Sequence, residues 1–123
     1  MSSRPHLSPY PVVTDGDMSD DITSEVTIIQ KLSLVSYSVA FTGTPTGDFT
    51  VEVSNDYALS PGGEVANSGT WSTVTLSSAT SAAGADGNGF IDIGLISAYA
   101  IRLKYTSGSG EGVLNAVINA KVA

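Results

Sequence analysis

The chain has 123 residues, 12 acidic against 5 basic, a formal charge of −7 and no cysteine. That length suits one domain with a core that stands without staples, and the missing cysteine excludes disulfide frameworks and thiol nucleophiles and leaves a reducing compartment acceptable. The acidic balance argues against nonspecific nucleic-acid binding, which needs Lys and Arg against phosphate, and no apolar run approaches the ~18–20 residues of a membrane-crossing helix.

Residues 1–21, "MSSRPHLSPYPVVTDGDMSDD", differ from the rest of the chain. Pro5, Pro9 and Pro11 favour extended backbone and refuse helix. Asp15, Asp17, Asp20 and Asp21 come next with no basic residue among them, and no apolar period runs through the segment. It reads as an extended N-terminal arm outside the core. Residues 1–30 hold no apolar run behind a basic start, so no secretory signal peptide is expected.

From Ile22 the pattern is that of strands. "ITSEVTIIQKL" is rich in β-branched residues, and "LVSYSVAFT" alternates, with Val35, Tyr37, Val39 and Phe41 on one side. "GTPTGD" is a turn cluster; "FTVEVS" then points Phe49, Val51 and Val53 inward and Glu52 outward. Residues 55–70 form a long loop before "WSTVTLS", and residues 77–89 a second before "FIDIG". "AYAIRLKYT" buries Tyr99, Ile101, Leu103 and Tyr105 and turns Arg102 and Lys104 out. "VLNAVINAKVA" faces Leu114, Ala116, Ile118, Ala120 and Val122 in. Seven or so short strands with period-2 patterning, 13 glycines and Gly/Pro/Ser turns predict an all-β antiparallel β-sandwich or jelly roll over residues 22–123.

Chemistry is sparse. His6 is the single histidine and lies in the arm, so no Ser-His-Asp arrangement can be built, and a zinc site lacks its ligand types. "GADGNGFIDIG", residues 84–94, resembles the middle of an EF-hand loop. With Gly89 at the sharp bend, Asp86, Asn88 and Asp92 take ligand positions, but Gly84 and Leu95 stand where the first carboxylate and the bidentate Glu belong. A turn with Gly87, Asn88 and Gly89 at positive φ, entering a strand at Phe90, accounts for it. The acidic run Asp15 to Glu25 fails the same test and reads as a solvated linker. Glu52 and Asp92 are the carboxylates on strands that a glycosidase would need across a cleft; alternation turns both to solvent. Neither a cofactor nor a metal is expected. Both long loops exceed ~12 residues and suit contact with a partner. Tyr57 and Trp71, the latter anchoring a loop or stacking on a sugar ring, are the aromatic candidates there.

The order of pieces carries a resemblance. "SSRPHLSPYPVVTDGDM" leads into "ITSEVTIIQKLSLVSYSVAFTGTPTGDFTVEVSNDY", then "GTWSTVTL" and "YAIRLKYTSGSGEGVLNAVINAKVA". This layout resembles small virion proteins of tailed bacteriophages, in particular jelly-roll capsid decoration (cement) proteins. The resemblance implies a protein without catalysis, assembled in the bacterial cytoplasm and placed on the capsid surface of the virion. It would clamp the major capsid protein, as a homo-oligomer, dimer or trimer. The arm would reach along the shell, with Arg4, Pro5, His6, Leu7, Tyr10, Pro11, Val12 and Val13 as its contacts, since apolar residues without a core of their own order on a partner. The same strands are also similar in outline to discoidin-like sugar-binding sandwiches. On that alternative, a carbohydrate-binding module of a phage fibre or tail adhesin, Tyr57, Trp71 and Arg102 would hold the ligand.

Overall fold

The computed structural model describes residues 6–29, 32–76 and 80–122. Its strands are β1 (His6–Asp17), β2 (Ile22–Thr23), β3 (Thr27–Ile28), β4 (Leu34–Gly43), β5 (Thr46–Ser54), β6 (Ala58–Leu59), β7 (Val65–Asn67), β8 (Ser72–Thr73), β9 (Thr80–Ala83), β10 (Gly87–Leu95), β11 (Ala100–Ser109) and β12 (Gly112–Lys121). They form two antiparallel sheets packed as a sandwich, with no helix among the described residues. One sheet runs β1-β12-β4-β10. The other is built on β11 and β5, with β2 and β3 beside β11 and β8 and β9 beside β5. A separate short hairpin, β6-β7, occupies the expected 55–70 loop.

Alternation sets the core. Val35, Tyr37, Val39 and Phe41 of β4 and Leu114, Ala116, Ile118 and Ala120 of β12 face Phe49 and Val51 of β5 and Ile101, Leu103 and Tyr105 of β11. A chain of rings ties the sheets together: Phe41 lies 6.0 Å from Phe49, and Phe49 lies 5.0 Å from Tyr105. Two of the connections that cross between the sheets, β4–β5 and β11–β12, lean on each other where the Thr44 N–H donates to the Glu111 carbonyl at 2.8 Å. Gly43 and Gly110 turn these corners at φ 95° and 77°, and a side chain at Gly110 would strike the Thr44 carbonyl.

Three expectations are corrected. Within the expected arm of residues 1–21, the described part, from residue 6 onward, does not lie outside the core. From His6 to Asp17 it forms an edge strand along β12, with Leu7 opposite Ala120 and Tyr10 opposite Ile118, and Val12, Val13 and Met18 lie in the core. Register shifts between Pro11 and Val13 and between Val13 and Gly16 let two consecutive valines be buried, which strict alternation forbids. Pro9 and Pro11 are accommodated because an edge strand has a neighbour on one side only. Among the described residues the strands number twelve because several neighbours of β11 and β5 are two-residue pieces. Finally, Gly87, Asn88 and Gly89 are not a turn: they are already strand, opposite Phe41, Ala40 and Val39. The glycines serve close approach, since a Cβ would come within 3.1 Å of the Phe41 ring at Gly87 and 2.7 Å of Thr80 Cγ2 at Gly89.

Candidate functional site

The arm residues fall into three groups. Arg4 and Pro5 lie outside the described residues. His6 and Leu7 have backbone partners in Lys121 and Ala120. Tyr10 and Pro11 are exposed, whereas Val12 and Val13 are buried. Val12 and Val13 are therefore withdrawn from any partner surface, because they already pack against this chain's own core.

The alternative trio does come together. Cross-strand register sets Arg102 of β11 opposite Glu52 of β5, and alternation turns both to the outer face. The Arg102 guanidinium donates from Nε and Nη2 to Glu52 Oε1, each at 2.8 Å. Its Cζ stands 4.1 Å from the centroid of the Trp71 ring, a cation–π arrangement, and the Tyr57 ring lies 5.9 Å from that of Trp71. Trp71 is half-buried and its indole N–H donates to the Ser68 carbonyl at 2.8 Å. Gly69, at φ 86°, lets the chain bend there.

Under this cluster a polar knot closes the 55–70 segment. Asp56 Oδ1 accepts from the Thr70 N–H at 2.6 Å and from the Ser54 hydroxyl at 2.8 Å, while Ser54 Oγ accepts from the backbone of Asp56 and Tyr57. The Thr70 amide first, and then the Ser54 hydroxyl, hold the Asp56 carboxyl below its ordinary value, since bonds to a carboxylate favour its charged form. Trp71, Tyr57 and Arg102 were legible from the chain. Glu52 as Arg102's partner was not, because the register of two strands fifty residues apart leaves no local mark.

The calcium-like segments have other work. Asp86 accepts from the Gly43 N–H at 2.7 Å and Asp92 from the Gly94 N–H at 2.9 Å. Asp17 binds Ser19 through hydroxyl and amide, which lowers its carboxyl in that order of effect. Asp21 accepts from the Ser107 N–H. Among the described residues no three His, Asp or Glu side chains converge as metal ligands. Glu52 and Asp92 belong to different sheets and opposite outer faces, so they flank no common cleft.

Comparison with known proteins rests on shape. No family model and no curated protein matches the chain. A chain of the T13 particle of infectious bursal disease virus superposes with a TM-score of 0.58 at 12% identity, over 98% of this chain and 32% of that one. A chain of the Gx strain of the same virus gives 0.54 at 10% identity, again over 98% and 32%. The likeness is one of fold, a jelly-roll sandwich with sheets β1-β12-β4-β10 and β2-β11-β5-β8. This chain spans about a third of the length of the chains it matches.

Proposed function

We propose that the chain is a non-enzymatic structural component of a virion, a capsid decoration (cement) protein that binds and stabilises the major capsid protein shell of a tailed bacteriophage. The observation that carries this reading is the fold, a jelly roll like that of a chain in an icosahedral virus particle over 98% of the present chain. Supporting it, the exposed side of β1 offers Tyr10, 50% exposed, beside Pro11. Such an aromatic anchor on an accessible edge suits a partner surface.

The alternative, a carbohydrate-binding module, would use Tyr57, Trp71 and Arg102. These three do converge, but Arg102 covers the indole and is already paired with Glu52, and the indole N–H is bonded within the chain. The cluster satisfies itself, and the decoration reading is preferred. Its test is co-sedimentation with shells assembled from the major capsid protein encoded in the same genome. Saturable binding is expected, together with a higher temperature of shell disassembly. Failure to co-sediment at saturating concentrations overturns it.

A further inference from the structure

The outer face of β12, β4 and β10 is nearly free of charge on a chain of net charge −7. Its outward residues are Leu34, Ser36, Ser38, Ala40 and Thr42 on β4, Asn88, Phe90 and Asp92 on β10, and alternate residues from Val113 to Lys121 on β12. Asp92 and Lys121 are the one acid and the one base among them. Three of the large exposed apolar side chains lie on this face: Phe90, 65% exposed, and Leu95, 72%, on β10, and Val113, 41%, at the far end of β12. Phe90 stands between two shallow hollows. The larger, about 490 Å³, is floored by Ser38, Ala40, Asn115 and Val117. The other is lined by Leu34, Ser36, Asp92, Asn119 and Lys121.

The register arranges this face in rows across the three strands. Phe90, Ser38 and Val117 form one row, Asn88, Ala40 and Asn115 the next, and Asp92, Ser36 and Asn119 a third. Leu95, Leu34 and Lys121 form the fourth. We infer that this face is a two-fold interface with a second copy of the chain, its axis running along β4. Such an axis exchanges β10 with β12, row by row. Phe90 then lies on the partner copy's Val117, in the larger hollow, and Asn88 meets the amide of the partner copy's Asn115. The Lys121 stem covers the other copy's Leu95 and carries its ammonium to Asp92 one row away, as long basic side chains do. Each row is complementary to itself turned over, which an isologous contact demands. The small central column Ser36, Ser38, Ala40 lets the two sheets close with their strands aligned, as the sheets of an aligned sandwich pack to within about 30°.

Charge selects a second copy as the occupant. Two chains of −7 repel, and contact is least opposed where their facing surfaces are neutral and the few charges alternate in sign. The other sheet turns out Asp48 and Glu52 beside Arg102 and Lys104, which present no such rows. The footprint, ten residues of β4 by the three strands β12, β4 and β10, is about 490 Å² per copy at ~3.4 Å per residue and ~4.8 Å per strand. That is well under the ~800 Å² per partner of a standard interface, so the dimer is weak and forms in a concentration-dependent way.

Sedimentation equilibrium of the full chain, without any shell, tests this. A reversible monomer–dimer equilibrium is expected. Phe90→Asp abolishes it, and Lys121→Glu, which sets acid against Asp92, weakens it at least about tenfold. Both side chains are exposed, so thermal midpoints should stay close to that of the parent; if Phe90→Asp fails to fold, Lys121→Glu decides. A chain that stays monomeric up to ~1 mM, a trimer, or a dimer unmoved by either folded variant overturns the inference. Because no shell is present, either result leaves the decoration reading standing or falling on its own experiment.

Discussion

Tyr37 is a polar group in an apolar place. It sits on β4 between Ile118 and Ile91, fully buried, and its hydroxyl has no hydrogen-bond partner among the described residues. An unsatisfied buried hydroxyl costs about 1–3 kcal/mol. Tyr37→Phe keeps the ring and removes that cost, so it should stabilise the protein by about 1 kcal/mol, read as a higher urea midpoint at unchanged slope. Burial also sets the response to pH. It pushes the phenol above its ordinary value of 10.0, because a buried group resists charging. Above pH ~10 the unfolded chain gives up a proton that the native state keeps, so the native state binds more protons and stability falls as pH rises. Between pH ~10 and the raised native value, Tyr37→Phe should lose stability less steeply than the parent.

At the scale of elements, β1 decides most. It covers one flank of β12 over twelve residues and delivers Val12 and Val13 to the core, with Met18 following directly after it. Burying three such side chains contributes about 5–9 kcal/mol at ~1.5–3 kcal/mol each, as much as the whole margin of ~5–15 kcal/mol by which small domains are stable. A chain beginning at Ile22 should therefore show no cooperative thermal transition by circular dichroism, and it should aggregate through the uncovered edge of β12. A cooperative, soluble truncated chain would mean that β1 is dispensable. The central strands were legible from the chain because each alternates strictly: Val35 to Phe41 and Leu114 to Ala120 sit on the faces their period assigns. β1 was illegible because two prolines, Pro9 and Pro11, and a double valine break that period, and both are tolerated only where a bulged strand lies at an edge. The glycines of β10 misled for a related reason. Gly87 and Gly89 look like turn residues, and only the neighbouring Phe41 and Thr80 show that the space for a Cβ is already taken.

For the molecule as a whole, the first and last long strands are neighbours, so β1 and β12 close the chain on itself. The ring chain Phe41, Phe49, Tyr105 joins the two sheets across the core. Neither sheet has a buried face without the other. Unfolding followed by Trp71 fluorescence, which reports on the β5–β11 sheet, should coincide with far-ultraviolet circular dichroism, the mark of a single transition. Two separated midpoints would show that the sheets part independently. Refolding should be slow, on the order of milliseconds to seconds, because pairings of high sequence separation must close before they are rewarded.

The chain by itself determined the all-β class, the inward faces of β4, β5, β11 and β12, and the aromatic and cationic residues that meet at Trp71. These are period-2 and side-chain properties, carried within a few residues. Tertiary structure alone decided that residues 6–18 belong to the sandwich, that Glu52 neutralises Arg102, and that Phe90, Ser38 and Val117 stand in one row. Each of these depends on the register between strands far apart in the chain, and register is chosen by the burial of whole faces together.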